Sequence, residues 1–456
     1  MSESPRRPNL LVILDDQHRF DYLGCAGAKW VRTPNLDKLA SRGVRFTQCC
    51  TNAPVCAPAR IALSAGLQPH RLGALGNSAF LPRSAPTYYQ HLRDHGYYVG
   101  CVGKLDLAKP DGYNGRDGDR PATYMWGFTH PVECEGKMHA GHSPEPRGPY
   151  GLWLRERGLY EAFHQDYKRR RKEGYHVSAH DSVLPTEAFE DCYIGRRSAE
   201  WIERTPGDFP WHLFVSFVGP HDPYDPPAEY GARYRGAEMP PPIPLHPGEK
   251  PAWIRERQQA YAPEKVLETR RQYCAAIEAI DDQVGLILAA VEKRGWTDNT
   301  YVIFASDHGE MLGDHGLYTK SVPYEAALRV PLLAAGPGIA GGRVCEAPVE
   351  LIDINPTVCE LAGLPAQPNL DARSFAPVLR GESATHRSEC LSGLRNFSLV
   401  RTERHKLVRS LNDETELYDL REDPHEQRNL ARDQPQLVKD LSALLNRRML
   451  EGTWLR

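Results

Sequence analysis

Cys56-Ala57-Pro58-Ala59-Arg60 is the stretch of the 456-residue chain with the clearest chemical potential. A strand-like segment precedes it and a helix-like one follows. Cys56 is therefore expected at a helix N-terminus, where free N–H groups and the helix dipole favour an anion. Arg60, four residues on, falls on the same helical face. Other reactive residues stand directly after short apolar runs. Asp15-Asp16 follow Asn9–Leu14, Lys104 follows Tyr97–Val102 and one glycine, His221-Asp222 follow Trp211–Val218 and Gly-Pro, and Asp307-His308 follow Thr300–Ser306. Brought together, such groups are the parts of an attack on an anionic ester: a nucleophile, cations that absorb charge and an acid for the leaving group.

The elements that must position them follow from the same runs. Four to eight residues long and rich in β-branched and aromatic side chains, the runs read as buried strands. Between them, Thr33–Arg42, Tyr88–Asp94 and Val266–Arg294 read as helices, the last carrying Ile277, Ile280, Val284, Ile287 and Val291 at helical spacing before Gly295. Alternation of this kind predicts an α/β fold, with a large, mostly parallel central sheet and helices on both faces. Ligands then bind beyond the carboxyl ends of the strands, so four strands deliver Asp, Asp, Lys, His, Asp and His to one rim. Residues 108–150 and 219–263 are rich in Gly and Pro, resist regular assignment, and are expected to form pocket walls. After residue 365 the pattern changes to short strands (397–402, 406–410, 416–420) and a final helix (434–448). The expected division is a catalytic domain over 1–365 and a small α+β subdomain over 366–456.

Composition narrows the partners. Hydrophobic residues make up 41% and charged residues 25%, ordinary globular values. Lys+Arg 56 against Asp+Glu 59 gives a net charge of −3, which advertises neither nucleic acid nor an anionic membrane. No run approaches the roughly 20 apolar residues of a membrane span. Leu10–Leu14 is too short for a signal-peptide core, so the chain reads as cytoplasmic. The 11 cysteines are odd in number, scattered and without a CxxC pair, which argues against a disulfide framework or a zinc knuckle.

The chain resembles the type I sulfatases of the alkaline phosphatase superfamily. The resemblance rests on ILDDQHRFDYLGCAG, VRTPNLDKLASRGVRFTQ, PVCAPARIALSAG, the strand ending GKLDL, VGPHDPY, FASDHGEMLGDHGLYTK, YEAALRVPLL and ELYDLREDPHEQRNLA, in the family's order over nearly the whole chain. It implies an alkaline phosphatase-like fold and hydrolysis of a small sulfate monoester, with an aryl, sugar or choline-like alcohol. It also implies that a formylglycine-generating enzyme oxidises Cys56 to an aldehyde. The hydrated aldehyde attacks sulfur with one oxygen, and loss of a proton from the other expels sulfate.

By the same resemblance one divalent metal, Ca²⁺ first and Mg²⁺ or Mn²⁺ next, is held by Asp15, Asp16, the Cys56-derived side chain, Asp307 and His308. Relatives read D-D-x or x-D-Q at the first position. This chain reads Asp15-Asp16-Gln17, so Asp15 and Gln17 compete for one place and Asp15 is favoured. Arg60 is implied to hold the hydrated aldehyde, Lys104 and Lys320 the sulfate oxygens, and His221 the proton at the leaving oxygen. Asn77 and Asp106 are candidate substrate contacts, Asp106 standing where most sulfatases carry histidine in G-K-x-H. His139 and His142 read on balance as surface-loop side chains, and His315 lies outside the metal ligands at most. Tyr124, Trp126, His139 and the 219–263 loop would select the alcohol. Two rivals stand beside this reading: a phosphonate monoester or phosphodiester hydrolase with the same site, and a non-catalytic binding protein in which Cys56 stays a thiol. Homo-oligomerisation is left open.

Overall fold

The computed structural model describes residues 7–109, 114–245 and 250–451. Eight strands form the central sheet: β1 (Asn9–Asp16), β2 (Gly43–Phe46), β4 (Tyr98–Gly103), β5 (His130–Glu133), β6 (Trp211–Pro220), β7 (Thr300–Ser306), β8 (Leu332–Ala335) and β9 (Arg343–Cys345). A two-residue strand, β3 (Cys49–Cys50), follows β2 and pairs with β10 (Val349–Glu350). The sheet order is β5-β4-β6-β1-β7-β8-β2-β9. Every pairing is parallel except the two made by β8, so one strand runs against the other seven. β1 sits in the middle, between β6 and β7, and its eight residues are all buried.

The pleat of β1 sorts the interior into two layers. Leu10, Val12 and Leu14 face one core, which also takes Ala57, Ala59, Ile61 and Leu63 of the helix Cys56–Ala65. Leu11 and Ile13 face the other, built with Ile194 and Ile202 of the helix Glu190–Arg204 and Ile280, Val284 and Ile287 of the helix Pro263–Lys293. Phe375, Ala376, Val378 and Leu379, beyond the expected boundary at 365, also pack into the first layer.

The last part of the chain forms a separate antiparallel sheet of β11 (Glu389–Leu394), β12 (Phe397–Thr402), β13 (His405–Ser410) and β14 (Thr415–Asp419). The helix Pro435–Leu450 lays Leu441 and Leu445 on Val400, Leu407 and Leu417. Buried ion pairs tie this sheet to the main body, Arg401 and Lys406 both reaching Glu325. The 219–263 segment is fastened to the same sheet, for Lys250 Nζ donates to Tyr418 Oη at 2.8 Å and to the Glu426 carbonyl at 2.6 Å.

The 108–150 segment is more regular than expected. It holds β5 and three short helices, Pro121–Met125, Lys137–His142 and Pro149–Glu156. Helices of five to eight residues span too few turns to show a period in sequence. Among the described residues, no helix is long and apolar enough to cross a membrane.

Candidate active site

The carboxyl ends of β1, β4, β6 and β7 meet at one rim, and the N-terminus of the helix Cys56–Ala65 points at it. Cys56 opens that helix after Val55 in extended conformation. Its Sγ lies 3.2 Å from His308 Nε2 and 3.7 Å from Asp16 Oδ1. Asp16, Cys56, Asp307 and His308 each offer a ligand atom, these atoms lie within 4.8 Å of one another, and all four residues are buried. His308 Nδ1 faces the Gly309 carbonyl at 3.0 Å, so Nδ1 carries the proton and Nε2 turns its lone pair to the cluster. Two carboxylates, an imidazole and a sulfur position this close fit a divalent cation.

Arg60 ties the cluster together. Its Nε donates to Asp307 Oδ2 at 2.7 Å and one terminal nitrogen to Asp16 Oδ2 at 3.1 Å. The other terminal nitrogen donates to Ser216 Oγ at 2.6 Å and to the Lys104 carbonyl at 2.8 Å. Lys104 follows Gly103, whose φ of +105° allows the end of β4 to close on β6; a Cβ there would collide with the Ser216 carbonyl. Lys104 Nζ pairs with Asp16 and, at 3.3 Å, with Asp106. Lys320 Nζ donates to Gln17 Oε1 and to His221 Nε2, while His221 Nδ1 faces the Asp222 carbonyl at 2.6 Å. Gln17, Asp106, Thr319 and Ser321 all carry positive φ, a local strain that the surrounding packing holds in place.

The charges respond to one another. Burial works against ionising Asp16, yet Lys104, His221, Arg60 and His308 hold its carboxyl well below the usual range. Burial and the facing Asp16 carboxylate push Asp307 up. Burial and Asp16 oppose a thiolate at Cys56, and Lys104 and Lys320 overcome them to bring the thiol well below its usual value. Asp106 is held low against its burial by Lys104, Lys109 and Arg60.

Asp15 is not brought to this cluster. Adjacent strand residues point to opposite faces, so Asp15 turns to the second layer, where its Oδ2 meets His18 Nδ1 at 2.7 Å. Gln17 does not complete the cluster either. Its amide is engaged by Asp222 at 3.2 Å, Glu310 at 2.6 Å and Lys320.

A cavity of about 490 Å³ opens outward from Lys104, His221 and Lys320. Asn77 lines it and accepts the Ala57 N–H at 3.2 Å. Lys109, His139, His142 and Tyr175 line it as well. His139 and His142 are exposed, as surface side chains are, but they stand three residues apart on the short helix Lys137–His142 rather than on a loop, and they line the cavity's outer part. Tyr124 and Trp126 do not line it: Tyr124 is 43% exposed elsewhere and Trp126 is buried in the first core layer. Of the described residues of the 219–263 loop, only His221 reaches the cavity. His315 packs on Tyr324 and faces Gln427 on the C-terminal side. Lys109, in a turn, and Tyr175, opening a single-turn 3-10 helix (Tyr175–Val177), carry no signal that sequence reasoning could have used. A second cavity of about 430 Å³, between Gln68–His70 and β11–β13, shares none of these residues.

The family model Sulfatase matches residues 8–364. The chain belongs to the sulfatase family. A second model, the C-terminal region of N-sulphoglucosamine sulphohydrolase, matches residues 313–453. A choline-sulfatase of Rhizobium meliloti (strain 1021) is 31% identical over 444 residues, covering 93% of this chain and 82% of that protein. An arylsulfatase of Clostridium perfringens (strain 13 / Type A) is 27% identical over 461 residues, covering 93% and 90%. Among solved structures, the phosphonate monoester hydrolase of Agrobacterium radiobacter aligns with a TM-score of 0.81 at 25% identity, over 97% of this chain and 95% of that one. This sulfatase is thus a sulfuric ester hydrolase whose fold is shared with phosphonate monoester hydrolases.

Proposed function

We propose that the protein hydrolyses a sulfate monoester to an alcohol and sulfate, with the residue-56 side chain, oxidised to formylglycine by a maturation enzyme, as the nucleophile. The observation that carries this reading is the position of residue 56. It opens a buried helix and faces Asp16 and His308, and Asp16 in turn pairs with Lys104, which lines the cavity together with Lys320.

Asp16, Asp307, His308 and the residue-56 side chain would hold a divalent cation, Ca²⁺ first, with Mg²⁺ and Mn²⁺ as alternatives for the same donors. Such an ion supplies positive charge that favours an ionised oxygen nucleophile and offsets the sulfate charge. Arg60 fixes both carboxylates, and its own charge stays with the site because its pKa is held high by Asp307 and Asp16 against burial. Lys104 and Lys320 bind sulfate oxygens, where charge grows as the bond to the alcohol breaks. The proton for the leaving oxygen comes from the Lys320 Nζ–His221 Nε2 pair, with His221 oriented by the Asp222 carbonyl. One hydroxyl of the hydrated aldehyde, having lost its proton to solvent, forms the new S–O bond as the S–O bond to the alcohol breaks. The second then gives up its proton to the same pair, the C–O bond to sulfate breaks, and the aldehyde reforms. Asn77 and Asp106 act by position, Asn77 on the helix end and Asp106 on the two lysines it contacts.

The phosphonate reading draws on the Agrobacterium radiobacter neighbour and on Gln17 and His308 at the rim. The two readings part in side-by-side kcat/KM measurements on matured protein, using a phenyl sulfate and a phenyl phosphonate monoester with the same leaving group. The sulfate ester is expected to be the better substrate. A tenfold preference for the phosphonate would replace the present reading with the second.

A further inference from the structure

Resting on the sulfate-ester reading, we infer that the alcohol released carries an anionic group of its own, a carboxylate or a second sulfate, received by Lys109, His139 and His142 on the outer wall of the cavity. The inner end of the cavity is committed to the reacting sulfate by Lys104, His221 and Lys320, so the leaving group must extend outward. Among the described residues that line the cavity there is no aspartate or glutamate. Asp106 lies behind the wall, where its one carboxylate oxygen takes Lys109 Nζ at 2.8 Å and Lys104 Nζ at 3.3 Å. That contact aims the Lys109 ammonium and leaves it further N–H donors.

The two histidines add directional donors beside this charge. They stand at i and i+3 on the helix Lys137–His142 and so share a face. His142 Nε2 accepts from Arg171 at 2.9 Å, which places its proton on Nδ1. Lys137, on the same helix, is not available: its ammonium is used by the carbonyls of His221 and Pro223, at 3.0 and 2.8 Å, and by Asp225 at 2.6 Å.

The same wall disfavours a quaternary ammonium. Such a group is held by aromatic faces or carboxylates, and among the described lining residues it meets an ammonium, two imidazoles and one phenol ring, Tyr175. Ancestry shared with the choline-sulfatase therefore does not extend to its leaving group.

The test compares 4-(carboxymethyl)phenyl sulfate with 4-methylphenyl sulfate, whose leaving phenols are of similar acidity, and adds choline sulfate as a third substrate. Matured wild type should show a kcat/KM ratio of about ten or more in favour of the carboxylate-bearing ester, with choline sulfate the poorest of the three. In the Lys109→Ala/His139→Ala double variant the ratio should fall towards one. Both esters are read on one preparation, so any loss of folded protein cancels in the ratio. A wild-type ratio near one, a ratio unchanged in the variant, or choline sulfate as the best substrate would overturn this inference alone. Failure of the matured protein to cleave any of the three would overturn the sulfate-ester reading beneath it.

Discussion

The inner and outer walls of the cavity are built differently. The inner wall stands on strand ends and one helix N-terminus. Its metal-site carboxylates are fully buried, and Arg60 by itself hydrogen-bonds to Asp16 and Ser216 in β1 and β6 and to Lys104 and Asp307 directly after β4 and β7. The outer wall stands on a six-residue helix and on irregular chain, and His139 and His142 are open to solvent. Groups that must hold charge at one place are locked by several elements at once, which gives the preorganisation that electrostatic catalysis requires. Groups that meet a leaving alcohol sit on short segments that change without disturbing the sheet. On the proposed reading, the contrast assigns reaction type and substrate choice to separate parts of this fold.

The largest expected departure comes from the inner wall. Arg60→Lys keeps a positive charge but cannot span Asp16, Asp307, Ser216 and the Lys104 carbonyl together. We expect kcat/KM to fall by about 10²–10³ with the chain still folded by circular dichroism. A loss below tenfold would show that the inner wall is not held by this network.

Asp106 joins the two walls, so its removal should have an intermediate effect. Asp106→Asn is expected to lower kcat/KM by about tenfold, because the contacts with Lys104 and Lys109 change from ionic to neutral. The sign of the pH effect follows from its depressed carboxyl. The ionic contact is complete above the ordinary carboxylate value of about 3.9 and is lost only as pH falls through the lower folded value. Activity profiles of wild type and variant should therefore run parallel between about pH 5 and 8, a window that lies wholly above that transition. A shifted limb in that window would assign Asp106 a titrating role.

The smallest effect belongs to a residue that sequence alone put in the pocket. Tyr124→Ala should change kcat/KM by less than about twofold for every ester in the panel, as its side chain lies outside the cavity. A larger change for one ester would extend the outer wall to the helix Pro121–Met125.

These contrasts also explain what the sequence discloses. The strands Thr300–Ser306 and Trp211–Pro220 are mostly apolar and run straight into reactive pairs, so both the sheet and its rim can be read. The strands β2, β8 and β9 are three or four residues long and leave too little pattern. The long helix Pro263–Lys293 shows its period, whereas Lys137–His142 is barely a turn and a half and hides two pocket histidines. Asp15, favoured over Gln17 for the place beside Asp16, is turned away from the cluster by the pleat. The alternation of Leu10, Val12 and Leu14 against Leu11 and Ile13 separates the faces only once the helix of Cys56 is known to lie on the even one.

The central claim is that an oxidised side chain at position 56 carries out the cleavage. It is tested most directly by preparing the protein with graded co-expression of a formylglycine-generating enzyme, measuring the aldehyde fraction at residue 56 by peptide mass spectrometry, and measuring sulfate-ester turnover on the same samples. Turnover should rise in proportion to the aldehyde fraction and pass through zero, with Cys56→Ala lower than the fully matured protein by on the order of 10⁵ or more. Full turnover in samples that carry only the thiol would contradict the account.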